Sequence, residues 1–280
     1  MAEPSLYFIT AILYAALGLH GLSLQRFAHA GPSGGADKSR PIEWQRIAVP
    51  VALALHATLL YRAMFGGAAL DLSLGIAVSL ILWVTALIYW VGSFHLDLGA
   101  LRTFILLMAG VSVVALYFLP SGKTVSYGGL TAFRVHIVIA FLAYGLFTIA
   151  ALHAVLMALL ERRLRSGKVS PMLQGLPPLL TMESLLFRML WVAFGLLTLT
   201  LVSGVFFSEV LFEKAFAKTE AHKFVFAFIA WVIFAALLIG RQVYGWRGRK
   251  AVRWTLTGFG MLMIAYLGTK IVLELILHRA

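Results

Sequence analysis

Eight predominantly apolar stretches, each close to the length a helix needs to cross a lipid bilayer, take up most of this chain. About 20 residues, rising about 1.5 Å each, span a hydrocarbon layer of about 30 Å. The stretches fall at residues 6–24, 47–65, 72–90, 98–119, 135–160, 185–212, 224–240 and 254–277. In lipid every backbone N–H and C=O needs a partner within the protein, so such segments are helices or strands of closed barrels. Barrel strands alternate in polarity over about ten residues, and these runs do not. The expected fold is all-α: a polytopic membrane helical bundle of eight transmembrane helices, forming one integral membrane domain over residues 1–280. A composition that is 61% hydrophobic and 12% charged agrees with this class.

The net charge of +12 would suit a nucleic-acid binder, but its placement explains it otherwise. Arg26, Lys38, Arg40 and Arg46 lie between the first two runs. Arg162, Arg163, Arg165 and Lys168 follow the fifth, and Arg241, Arg247, Arg249, Lys250 and Arg253 separate the seventh from the eighth. The opposite set of loops mixes Lys123, Arg134, Lys214 and Lys218 with Glu209, Glu213 and Glu220. By the positive-inside rule the basic loops are cytoplasmic and both termini are outside, on the periplasmic face of a bacterial inner membrane. The lipid bilayer thus accounts for the cations, and no nucleic-acid partner is expected. The start, MAEPS, lacks the basic region of a secretory signal peptide, so the first run is expected to remain as a helix. There is no cysteine, which leaves histidine as the residue type for any metal.

Two connections are longer than the rest. The stretch AGPSGGADKSRP, residues 30–41, has the composition of a linker. The stretch SGKVSPMLQGLPPLLTMES, residues 166–184, is broken by Pro171, Pro177 and Pro178, and helix six is expected to begin within Thr181–Ser184. Trp44, Trp90, Trp246 and Trp254 fall at the inner boundary as an interface belt. Lys270 and Glu274 stand four apart on the last run and pair on one face. No serine–histidine–acid arrangement, carboxylate pair within the bundle or phosphate-cradling glycine motif is present, so no enzymatic turnover is expected.

Depth sorts the eight histidines. His20, His95 and His153 fall near the inner ends of their helices, and His29 lies in the linker. His136, His222 and His278 fall at the outer ends of helices five, seven and eight. His56, within VALALHATLLY, is central, about 14 Å from either face. An ionisable side chain at such depth is a candidate functional residue. An interhelical hydrogen bond, of the kind polar residues form in membranes, is the alternative, and on the residues alone both readings stay open.

Several of these stretches resemble one known family. LHATLLYR, residues 55–62, is similar to the histidine-bearing second helix of the CcsA-type cytochrome c assembly proteins, which handle haem in the membrane. FRVHIVIAFLAYGLFTIAALHAVLMALLERRL, residues 133–164, resembles the family helix that starts with an outward-facing haem-ligand histidine, here His136. The segments HKFVFAFIAWVIFAALLIGR and WRGRKAVRWTLTGFGMLMIAYLG resemble its last two helices, which lead to another external histidine, here His278. LPPLLTMESLLFRMLWVAFGLLTLTLVSGVFF most resembles the YpjD/HemX-like branch. The resemblance departs at two places. The outer loop SEVLFEKAFAKTEAHKF contains no tryptophan where the family carries its WWD haem platform, and LLIGRQ replaces a second membrane histidine.

The resemblance implies an inner-membrane haem-binding or cytochrome c assembly factor that takes haem b, with other membrane or cytochrome c biogenesis proteins as partners. His136, His56, His278 and His222 are the implied haem contacts, and His136 and His278 the implied iron ligands. Two axial imidazoles need one depth, their nitrogens about 4 Å apart if each bond to iron is about 2 Å. His136 and His278 meet that condition, whereas His56 and His136 do not. The missing tryptophans favour a second class, a haem-free structural partner of another membrane complex. A transporter of small solutes or lipids is a third, and it requires polar residues around a midplane cavity.

Overall fold

The computed structural model describes residues 4–28, 40–66, 70–96, 99–119, 124–125, 131–166, 177–211, 221–268 and 271. Eight helices occur among them: α1 (Pro4–Ala28), α2 (Arg40–Phe65), α3 (Leu74–Gly92), α4 (Gly99–Phe118), α5 (Thr131–Arg165), α6 (Leu179–Leu211), α7 (Ala221–Tyr244) and α8 (Arg249–Met263). Each matches one apolar run. Six are long and apolar enough to cross a membrane, from α2 through α7. The apolar part of α1, Pro4–His20, is shorter, and α8 has 15 α-helical residues before it changes form.

The helices overrun the apolar segments. Helix α5 continues to Arg165, and α2 begins at Arg40 with Pro41 in its first turn, where a missing N–H costs nothing. Hydropathy marks only the part that lies in lipid, whereas hydrogen bonding propagates until something stops it. Helix α6 starts directly after Pro177 and Pro178, and the Pro178 carbonyl accepts the N–H groups of Thr181 at 2.9 Å and Met182 at 3.1 Å. It therefore begins at Leu179, ahead of the expected Thr181–Ser184.

Two features depart from a uniform all-helical reading. Strands β1 (Leu70–Asp71) and β2 (Thr124–Val125) pair antiparallel, joining the α2–α3 connection to the α4–α5 connection. The Asp71 carboxylate accepts the Ser73 N–H at 2.8 Å at the start of α3. The last helix, expected to run evenly from 254 to 277, passes into a π-helical turn at Ile264–Gly268. There the Leu262 carbonyl accepts the Tyr144 hydroxyl at 3.0 Å, and Tyr266 packs on Phe141 and Tyr144. A side-chain donor on the neighbouring helix thus serves a carbonyl next to the irregular turn, as lipid requires of any break in the α pattern.

The helices form two rings of four. In the first, α1 packs on α2, α2 on α3 and α3 on α4, and α4 returns to α1. Helices α5 to α8 close in the same sequential way, and the rings meet where α3 lies against α5. At that seam Gly145 admits α3 so closely that a Cβ on it would stand 2.9 Å from Val84. The centre of the second ring is apolar. Phe147 of α5 and Phe234 of α7 stack at 4.1 Å between ring centroids, both fully buried, and Gly258 of α8 accommodates the Phe234 ring.

A methyl group at Gly258 would lie 2.8 Å from Phe234. Gly258→Ala should therefore destabilise the folded protein by about 1–3 kcal/mol through overpacking. Gly195→Ala, which meets nothing within 4 Å, should cause no loss. Unfolding in mixed detergent micelles measures both, and equal midpoints for the two variants would contradict the packing described.

Candidate functional site

The first ring has a polar centre. His56 of α2 is fully buried. Its Nε2 lies 2.8 Å from the Ser79 hydroxyl on α3, and its Nδ1 lies 3.4 Å from the Tyr14 hydroxyl on α1. The Tyr14 and His56 rings meet edge to face at 5.7 Å. Three helices are joined through one imidazole, and both of its nitrogens are used inside the protein. A porphyrin iron at either nitrogen would have to displace Ser79 or Tyr14. Nearby, the Trp83 indole N–H donates to the Leu53 carbonyl at 2.9 Å, adding a second bond between α2 and α3.

His136 has a different setting. It is half-buried near the start of α5, at the end of the second ring remote from the basic helix ends. Its Nδ1 lies 2.8 Å from the Ser203 hydroxyl of α6. Ser203 Oγ is also 2.7 Å from the Leu199 carbonyl and 3.1 Å from the Thr200 carbonyl, one turn back on its own helix. A hydroxyl has a single proton, and the two carbonyls of its own helix, the nearer at 2.7 Å, are acceptors for it. With that proton assigned to the helix, Ser203 Oγ accepts from His136 Nδ1, a tautomer assigned from the hydrogen-bond network that leaves the lone pair on Nε2. Gly204, next along α6, stands beside the ring, where even a Cβ would be 3.5 Å from Cε1. Metal-bound histidines typically have this arrangement, with the second ring nitrogen donating to a fixed acceptor that sets tautomer and orientation. His136 and its surroundings thus fit an axial imidazole.

The remaining candidates are distributed as follows. His278 lies outside the described residues, and of His222 only its place in the first turn of α7 is described. His56 and His136 lie in different rings. His153 is buried and its Nε2 donates to the Met182 carbonyl at 2.9 Å, an interhelical bond from α5 to the start of α6. His95 is exposed after α3, and His29 lies outside the described residues. Ser203 and Gly204 were not singled out by the sequence reading. Their signal was present as adjacent small residues in the run LVSGVFF, the composition that lets membrane helices approach.

The molecule is thus a multi-pass helical membrane protein with one histidine sealed in its first ring and one serine-oriented histidine at the end of its second. The family model described as "Cytochrome C assembly protein" matches residues 44–277, and the chain belongs to that family. It is 29% identical over 238 residues to the inner membrane protein YpjD of Escherichia coli strain K12, covering 83% of this chain and 89% of that one. It is 31% identical over 91 residues to the cytochrome c biogenesis protein CcsA of Thermosynechococcus vestitus, covering 32% of this chain and 28% of that one. An uncharacterised 28.8 kDa protein of Azospirillum brasilense is 31% identical over 143 residues, which is 51% of this chain and 52% of that one. No solved structure matches. Six membrane-length helices and the inner-membrane relative place the chain in a bacterial inner membrane as a multi-pass protein.

The His56 contacts differ in quality. A hydroxyl–imidazole separation of 2.8 Å is near optimal, whereas 3.4 Å is long. Interhelical hydrogen bonds in membranes average about 0.6 kcal/mol and reach about 1.7 kcal/mol. In double-mutant cycles read by unfolding in detergent, His56→Ala with Ser79→Ala should couple within that range. His56→Ala with Tyr14→Phe should couple less. The reverse order would mean that the short contact does not carry the link.

Proposed function

We propose that this protein is a haem-handling factor of cytochrome c assembly that binds haem b beside His136 at the periplasmic end of the second ring. In this reading the basic helix ends face the cytoplasm and both termini face outward. The observation that carries it is the 2.8 Å contact between His136 Nδ1 and the Ser203 hydroxyl, which orients the imidazole at the end of α5. The family membership and the similarity to CcsA supply the haem chemistry that the imidazole would serve. His278 is proposed as the second axial ligand and His222 as a further external contact. His56 serves as the hydrogen-bonding centre of the first ring.

Bound haem would supply a porphyrin-held iron whose properties depend on axial ligand, hydrogen bonding and burial. The chain's own contribution is narrower. His136 would present Nε2, and Ser203 holds the ring against rotation through Nδ1. The tryptophan-free outer loop, Ser208–Phe224, favours the second reading, a haem-free partner of another membrane complex.

Absorption spectra of protein purified in detergent from haem-replete cells test the proposal. The wild type should show a Soret band that His136→Ala abolishes. Ser203→Ala should weaken haem retention by about 10–100-fold, the usual effect of removing a group that orients a metal ligand. A wild type without any haem band would support the haem-free reading. A band unchanged in His136→Ala would refute His136 as ligand.

A further inference from the structure

The basic end of the second ring contains two carboxylates, and they are used differently. Glu183 at the start of α6 is saturated: one oxygen accepts from Arg241 and the other accepts the Gly248 N–H at 3.1 Å. Arg241 also donates to the Trp246 carbonyl at 3.4 Å and lies over the Phe187 ring. One charge meets one charge, largely buried, and the node ties the α7–α8 turn to α6.

Glu161 near the end of α5 is not balanced in this way. A single oxygen, Oε1, receives Arg165 at 2.8 Å and Arg249 of α8 at 3.0 Å. Two guanidinium groups are drawn together across the α5–α8 seam, more than half exposed, by one negative charge. Each retains donors that this carboxylate does not use. About 4.5–6 Å nearer the bilayer, three or four residues along each helix, stand Arg162 and Arg253. Both are exposed and neither forms an ion pair among the described residues. Deeper on the Arg162 face of α5 come Leu159 and Val155, exposed apolar residues at helical spacing. The α5 surface therefore changes from arginine to aliphatic within two turns.

We propose that Arg165 and Arg249, gathered on Glu161, form with Arg162 and Arg253 a site for the phosphate headgroup of an anionic phospholipid, whose acyl chain lies along Leu159 and Val155. Guanidinium groups match phosphate oxygens in charge and fork geometry. Glu161 offsets only part of the positive charge, so a phosphate completes the cluster. The adjoining apolar stripe selects a lipid over a soluble phosphate.

The test uses full-length protein in lipid nanodiscs of phosphatidylcholine alone or of phosphatidylcholine mixed with phosphatidylglycerol. Thermal unfolding is followed by tryptophan fluorescence, and lipid adducts are counted by native mass spectrometry. Phosphatidylglycerol should raise the wild-type midpoint and leave retained adducts. Each cation near an anionic surface contributes on the order of a fivefold factor, so R165Q/R249Q should weaken retention by about 10–30-fold and lose the gain in midpoint. If that double variant does not fold, R162Q/R253Q, which removes cations with no ion pair among the described residues, should show the same loss. The site is overturned if phosphatidylglycerol stabilises wild type and the folded double variant equally, or stabilises neither. Equal stabilisation by inorganic phosphate or by poly-glutamate in phosphatidylcholine nanodiscs would overturn the lipid assignment.

Discussion

A polar atom in the hydrocarbon layer has no water to turn to, and the structure follows from where each such atom finds its partner. Backbone groups find theirs within each helix, which is why every described span is helical. Side chains that cannot do the same reach across to a neighbour, and those crossings define the assembly. Tyr144 reaches from α5 to the Leu262 carbonyl, Thr103 from α4 to the Gly18 carbonyl at 2.9 Å, and the Trp231 indole from α7 to Thr198 of α6 at 2.9 Å. Each bond is weak against the total stability of a domain. Their value lies in register, because a slip along either helix leaves a donor or acceptor unpaired in lipid.

The two rings solve the problem of a common centre differently. In the first, Tyr14, His56 and Ser79 meet in a hydrogen-bonded group that only one rotation of α1, α2 and α3 satisfies. In the second, Phe147 and Phe234 stack across the middle and Gly258 yields the space. Aromatic stacking tolerates small shifts that a buried hydrogen bond does not. Polar specificity at the end of the second ring is left to His136 and Ser203, away from the centre. A histidine in a core and a histidine at an edge thus do different work, although both occur within apolar sequence.

Helix positions were legible in the sequence because they depend on a local quantity, hydropathy. His56 falls inside α2 and is fully buried, and His136 lies near the start of α5. Partners were not legible, because they depend on helix rotation, which a run of leucine and alanine does not encode. Ser79 lies 23 residues from His56, and Ser203 lies 67 residues from His136. Neither pair is visible to a reading that moves along the chain. The π-turn at Ile264–Gly268 and the β1–β2 pair escaped for a related reason. Both arise from tertiary contacts, and their residues have no propensity that outweighs the surrounding helical pattern.

Position also bears on what a haem beside His136 would be for. A cofactor needed in place through many cycles is best enclosed, since enclosure slows its loss. His136 is only half-buried, and Val135, Val138, Val205 and Phe206 around it are all more than 40% exposed. Haem bound there would have one edge against lipid or against another protein, and its departure would not require α5 and α6 to separate. Ser203 fixes the imidazole from α6, so the ring is oriented without a porphyrin. A preset imidazole at an open edge favours capture and release over permanent residence. Within the proposed function, cargo is therefore the role for haem that this geometry supports better than resident cofactor.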